Sequence, residues 1–441
     1  MQLGGLFMPE SVWKDGLKLP SFERLEGSVK TDVLVIGGGL CGVLCTYLLC
    51  KAGVDCRLAE AAEIGSGMTG NTTAKLTFQH GLIYDKLMKS RGKDIARAYL
   101  DAGERALEEY RKLAGKIDCD FEEKDAYVYS RRDCKKLERE VKAANALGFP
   151  AEFVEEVPLP FSVKGAVRFP NQAQFHPMKF LAAIAEGLPI YEHTFIRELA
   201  PGKAYSRQGE IQADKIIVAT HFPFLNKHGS YFLKLYQHRS YVIALRGAPN
   251  VHGMYVDEAQ TGMSFRNYQN LLLVGGGSHR TGKKGGNWQE LRNFVNFNYP
   301  EAREAYAWAA QDCMSLDQVP YIGRYSARTP ELYAASGFHK WGMTSSMVSA
   351  MLLRDMVMGQ ENSWEEVFSP SRSMLKPQLF LNGAEAVLNL LTPVRKRCPH
   401  MGCALKWNPH EHSWDCPCHG SRFQADGSLI DNPAVGDAKI P

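Results

Sequence analysis

Two fragments near the C-terminal end, "CPHMGC" from Cys398 and "CPCHGS" from Cys416, gather cysteine and histidine at ligand spacing. Cys398 and His400 form a Cys-x-His pair, and Cys416 and His419 a Cys-x-x-His pair, so each loop offers one thiolate and one imidazole. Zinc fingers usually draw two Cys from one hairpin and two His from one helix, whereas here each loop supplies one of each. That division suits a two-iron cluster in which two cysteines hold one iron and two histidines the other. A structural zinc site is the alternative.

Read in full, C-x-H-x-G-C and C-P-C-H-G-S resemble the cluster loops of Rieske proteins of the cytochrome bc and b6f type. The resemblance implies that Cys398, His400, Cys416 and His419 ligate a [2Fe–2S] cluster and that Cys403 and Cys418 form a disulfide between the loops. Ser421 stands where a hydroxyl bonds a cluster sulfide in high-potential members, but Phe423 stands where they often carry Tyr. One hydrogen bond fewer to the cluster predicts a lower potential than that of respiratory Rieske centres. Only the short apolar stretch "EAVLNLLTPVRKR" precedes Cys398, so the module reads as a shortened, small all-β unit at 381–441, with a linker at 367–380.

The other end carries a second signature. "TDVLVIGGGLCGVLCTYLLCKAGVDCRLAE" reads as a buried strand, a glycine turn, an apolar helix and a second strand ending at Glu60. Gly37, Gly39 and Gly42 give G-x-G-x-x-G: a tight turn, close backbone approach to a pyrophosphate at the helix N-terminus, and close helix-to-strand packing. Glu60 falls where a carboxylate accepts ribose hydroxyls. Cys41, Cys45 and Cys50 lie on the helix at helical spacing and read as core. The later "NLLLVGGGSHRTGKKGG" has Arg280 in place of the third motif glycine, so it reads as a strand and loop of a substrate domain. His279 and Arg280 face either the active site or solvent.

After Glu60 comes "AAEIGSGMTGNTTAKLTFQHGL", whose amides and hydroxyls suit phosphates and point to FAD. This stretch resembles the glycine oxidase and D-amino-acid oxidase family. With "LPSF", "ATHFP" and "DQVPYIG", it resembles more narrowly the bacterial fusions of that domain to a Rieske module. The resemblance implies that Thr69, Gly70, Asn71, Thr72, Thr73 and Ala219 lie close to FAD, as do Gly337, Gly342, Met343 and Thr344 in the loop and helix start of "SGFHKWGMTSSM". Turn formation is the simpler role for the threonines. Cys313 occupies a place similar to that where monomeric sarcosine oxidase attaches its flavin; a buried thiol is the alternative. His80, His339 and Lys340 are the candidates for substrate or flavin chemistry, with structural roles equally open.

The expected fold class is α/β: a Rossmann-like FAD-binding domain (28–85, 165–222 and 318–366) with an α+β substrate domain (86–164 and 223–317) and the Rieske module. A chain of 441 residues suits about three domains, and its formal charge of +4 gives no argument for nucleic acid. No secretion signal or bilayer-spanning run is read in it, so a cytoplasmic location is expected. A flavin accepts a hydride and a [2Fe–2S] cluster moves one electron. The expected activity is therefore an FAD-dependent oxidation of a small amine or amino-acid-like substrate, or the reverse, with electrons exchanged between flavin and cluster and an unidentified donor or acceptor. An O₂-using amine oxidase and a non-enzymatic electron carrier or redox sensor are the alternatives.

Overall fold

The computed structural model describes residues 10–226 and 228–440. Its nucleotide sheet is built where apolar runs are fully buried. Along the strand Gly27–Ile36, Val33 and Val35 point to one core and Leu34 and Ile36 to another, as alternation demands of a sheet covered on both faces. In this eight-stranded sheet the order runs Tyr321–Ser326, Thr329–Ser336, Gly209–Val218, Gly27–Ile36, Cys56–Ala59, Ile190–Tyr191. All pairs on that path are parallel except the first, and Ile36 registers against Ala59 and Val218. The helix Leu40–Lys51 is apolar nearly all round because it packs between the sheet and the helices Pro177–Ala185 and Gly342–Val357. Cys41 and Cys45 are buried in that core.

A nine-stranded, mostly antiparallel sheet forms the second layer, with Leu235–Arg246 between Arg303–Ser315 and Leu271–Arg280. The "NLLLVGGG" segment is the third of these strands, as its missing motif glycine predicts. One expected boundary needs correction. Gly165–Gln174, placed with the FAD-binding segments on sequence, pairs with Glu122–Ser130 and Lys75–Leu76 in this second sheet. Its alternation of buried and half-buried positions fits a sheet with one covered face, which the motifs alone do not distinguish.

The C-terminal module is a four-stranded antiparallel sheet with its own small core around Leu405, Phe423 and Ala434. It does not begin with a linker and strands. A helix, Pro377–Leu391, runs across the expected boundary at 380 and carries the chain into the first cluster loop. Period-two alternation on Leu235–Arg246 places Gln237, Arg239 and Tyr241 on one face, and all three grip the module.

Candidate functional site

The glycine turn has the geometry its spacing predicts. Gly37 has φ +113°, and a Cβ there would lie 2.7 Å from the Ala219 carbonyl oxygen; one on Gly42 would lie 1.8 Å from that of Gly37. Gly39 caps the helix, and the next amide, of Leu40, donates to Thr69 Oγ1 at 2.9 Å. Glu60 is half-buried just past the end of its strand, accepting from the amides of Gly38 (2.6 Å) and Ala62 (2.8 Å). Burial raises its carboxyl against the pull of those amides.

This turn opens into a cavity of about 750 Å³. Gly37, Gly39, Glu60, Thr69, Asn71, Thr72, Thr73, Ala219, Gly342 and Met343 line it, with Cys313, His80, His339 and Lys340. Gly42, Gly70, Gly337 and Thr344 stand behind the wall instead. Thr344 Oγ donates to the Thr77 carbonyl at 2.6 Å, and Gly337 turns the chain at φ +69°. The Asn71 and Thr72 carbonyls accept from the indoles of Trp308 and Trp13, which hold this segment against the second sheet.

The three candidates for chemistry separate on contact. His80 is fully engaged: Nε2 donates to the Thr77 carbonyl (2.9 Å), so Nδ1 accepts from the Tyr99 hydroxyl (2.5 Å), and the ring stacks on Trp341. Burial pulls its pKa down to about 3, which keeps the ring neutral. His339 is buried with Nδ1 unpartnered, and the lysine beside it helps hold it at about 3 after burial itself. Lys340 reaches Ser278 Oγ at 2.6 Å, its ammonium lowered by burial and opposed by the nearby Asp312 carboxylate. Both His339 (φ +51°) and Lys340 (φ +72°) are left-handed, a conformation held by the surrounding packing. Cys313 sits on the wall facing Ser336 Oγ at 3.5 Å, and burial pushes its thiol up to about 12.

Sequence reasoning missed two cations. Lys75 lines the cavity and is brought to about 7 by burial and then by Arg266. Arg266 is fully buried, gives Nη1 to the Ala74 carbonyl at 3.0 Å, and leaves Nε and Nη2 unpartnered. The only local signal was a lysine inside the apolar "AKL".

Cys398 and Cys416 face each other with their thiols in hydrogen-bond contact. The rings of His400 and His419 lie 4.8 Å apart on the same site. The two loops repeat one design: Gly402 N donates to Cys398 O and Gly420 N to Cys416 O, both at 2.9 Å. Cys403 and Cys418 are disulfide-bonded between them. Both His Nδ1 atoms are buried and unpartnered, while His400 Nε2 donates to Asn226 Oδ1 at 2.7 Å. With Nε2 protonated, Nδ1 holds a free lone pair, which is what a metal ligand needs. Two thiols and two such imidazoles fit a [2Fe–2S] cluster of mixed ligation. Phe423 is fully buried in the module core and brings no hydroxyl.

The module closes the cavity of the glycine turn. Leu429, Asp431, Asn432, Ala434 and Asp437 line the same space as Gly37. Asn432 Nδ2 donates to the carbonyls of Thr220 (2.5 Å) and Phe222 (2.9 Å), just beyond the Gly209–Val218 strand. The Phe222 ring meets both cluster imidazoles, at 6.5 Å from His400 and 6.2 Å from His419. Arg280, which sequence leaves between active site and solvent, does neither. It donates to the carbonyls of Pro417 (2.8 Å) and Cys418 (3.0 Å) and so clamps the second cluster loop.

Residues 32–356 match the model of the FAD dependent oxidoreductase family, and residues 385–441 that of the Rieske [2Fe-2S] domain. The chain belongs to the FAD dependent oxidoreductase family. It is a fusion of that domain with a Rieske domain, and its cofactors are FAD and a [2Fe–2S] cluster. The oxidoreductase is 34% identical to the Rieske-type 2Fe-2S iron-sulfur protein YhfW of Bacillus subtilis (strain 168), over 98% of this chain and 97% of that protein. Its fold is similar to that of glycine oxidase from Geobacillus kaustophilus (TM-score 0.65, 20% identity, 78% of this chain and 100% of that one). It is also similar to that of L-proline dehydrogenase from P. horikoshii (TM-score 0.66, 17% identity, 78% and 98%). Among the described residues of this oxidoreductase no helix is long and apolar enough to cross a membrane.

Proposed function

We propose that this oxidoreductase oxidises a small amine or amino-acid-like substrate and sends the electrons singly through its own Rieske cluster. The observation that carries the reading is the shared wall: residues 429–437 of the module line the cavity of the glycine turn, and Phe222 bridges from that wall to both cluster imidazoles. FAD supplies hydride acceptance and the cluster one-electron transfer when bound.

The chain's residues supply the rest. Gly37, Gly39 and the Leu40–Lys51 helix N-terminus receive a pyrophosphate, and Glu60 has free lone pairs for a ribose. Lys340 and Asp312 stand on the same wall with opposite charge, a pairing that fits a zwitterionic substrate; Ser278 positions the ammonium. Lys75, near neutral in pKa, can take or return a proton at its Nζ. The similarity to glycine oxidase and L-proline dehydrogenase supports a substrate with an oxidisable C–N bond. The Cys313 thiol is proposed as a wall residue, and acid precipitation that carries the yellow colour down with the protein would instead indicate a covalent flavin.

The test is anaerobic mixing of holoprotein with a panel of amino acids and amines, followed by optical and EPR spectra. Bleaching of flavin with growth of a rhombic Rieske signal is expected. Bleached flavin, a silent cluster and stoichiometric hydrogen peroxide on admitting air would leave a plain oxidase.

A further inference from the structure

The helix Pro377–Leu391 is built inside out. Its buried face is polar: Asn382 and Asn389 are each 5% exposed, and Glu385 pairs with Lys283 at 2.6 Å. Asn382 accepts from Arg280 Nη1 and donates to the Leu233 carbonyl, while Asn389 Nδ2 donates to Glu385 Oε1 at 2.6 Å and its main-chain carbonyl accepts from the Ala404 amide. Its outer face is a stripe of Pro377, Phe380, Leu381, Ala384, Val387, Leu388 and Leu391 at three- and four-residue steps. Phe380 is 68% exposed, Leu388 65% and Leu391 77%. A water-facing helix of a folded protein carries the reverse pattern, so this stripe is made to be covered.

We infer that the stripe seats the molecule on the surface of an anionic lipid bilayer. Three observations choose lipid over a protein partner. The first is charge: from Lys376 to Arg397 the cations are Lys376, Arg395, Lys396 and Arg397, and the only carboxylate, Glu385, is turned inward onto Lys283. Lys376 and Arg395 thus bracket the apolar face where anionic headgroups would lie. The second is the lack of polar side chains on the stripe. Protein interfaces carry about one hydrogen bond per 100–200 Å², whereas acyl chains ask for none. The third is length: 15 residues extend about 22 Å at ~1.5 Å each, too short to cross a hydrocarbon core of about 30 Å but suited to lying in the interface. The end of the helix is tied to the first cluster loop, since Arg397 Nη1 donates to the carbonyls of Leu390 and Gly402. Met401, in that loop, is a further exposed apolar side chain. Docking by this face therefore brings the Cys398–Cys403 loop to the membrane surface, and it holds whatever the substrate of the flavin domain is.

The test is flotation of the full-length holoprotein with vesicles of phosphatidylglycerol and phosphatidylcholine in equal parts, against phosphatidylcholine alone. Binding to the anionic vesicles is expected, weakened by high salt. It should fall at least about tenfold in Leu381→Glu and Leu388→Glu, and stay unchanged in Phe297→Glu, which alters an exposed aromatic on another helix. Flavin absorbance and the cluster signal of each variant report that the fold survives. Protein left wholly in the aqueous layer with both vesicles overturns the inference. So does a concentration-dependent dimer by sedimentation that Leu388→Glu dissolves, which would give the stripe to a second copy of the chain.

Discussion

In each imidazole expected to hold the cluster, Nδ1 is left free for a metal while the ring itself is packed against the protein. Cys416 is completely buried, with the amides of Cys418, His419 and Gly420 pointing at its sulfur, and the neighbouring sulfurs of Cys403 and Cys418 are joined in a disulfide. Cys416→Ser is expected to abolish the rhombic EPR signal while the flavin absorbance stays, because the glycine turn belongs to a different core; loss of both together would mean that the cluster folds the whole chain. Phe423 tests tuning rather than binding. It is fully buried beside the cluster loops, and Phe423→Tyr adds a donor in a place where a hydroxyl has few other partners. A redox titration should show the midpoint rising; no rise would remove hydrogen-bond count as the reason for a low potential.

At the level of elements, the strand–turn–helix unit tolerates almost no change at its crossing point. A methyl on Gly42 would overlap the Gly37 carbonyl, and the helix Leu40–Lys51 is packed on every side, so it cannot back away. Gly42→Ala should cost about 3 kcal/mol in denaturant unfolding and release FAD on dialysis; retention of both would show that the turn can shift. This unit was legible in the sequence because its signals are local: three glycines, two apolar runs and an acid within one βαβ stretch. The cluster loops were legible for the same reason. The helix Pro377–Leu391 was read only as a short apolar stretch, since an inverted amphipathic pattern looks ordinary until its polar side is seen to bind Arg280 and Lys283. Arg280 itself was not legible, because its partners Pro417 and Cys418 lie more than a hundred residues away. Lys75 and Arg266 were hidden likewise: they sit on strands of one sheet that are far apart in the chain and meet only when that sheet is assembled.

The whole molecule is joined by polar contacts that exclude water. Glu411 accepts from Arg239 Nε at 3.0 Å, Tyr241 Oη at 3.0 Å and Arg422 Nη2 at 2.9 Å, and the two guanidiniums hold its carboxyl down at about 2 although burial pushes the other way. A carboxyl depressed in the folded state stabilises above its free pKa of about 4.3, and that stabilisation is lost as pH falls through the folded value. Between pH about 4.3 and 2 the wild type should therefore lose thermal stability more steeply than Glu411→Gln, with the variant less stable at neutral pH because both arginines lose their shared partner. Parallel acid limbs would mean that the network does not hold the module. A held module has a kinetic consequence. Both imidazoles pack against Phe222, whose carbonyl accepts from the cavity-lining Asn432, and His400 is bonded to Asn226, so the histidine edge abuts the FAD-binding part of its own chain. Electron passage from flavin to cluster should then be first order. In stopped-flow mixing with saturating substrate, the rate constant for cluster reduction should not change when protein is diluted about a hundredfold, since an effective concentration fixed by the fold replaces the bulk one. A rate that falls in proportion to protein would make the transfer intermolecular and the shared cavity wall a structural contact alone.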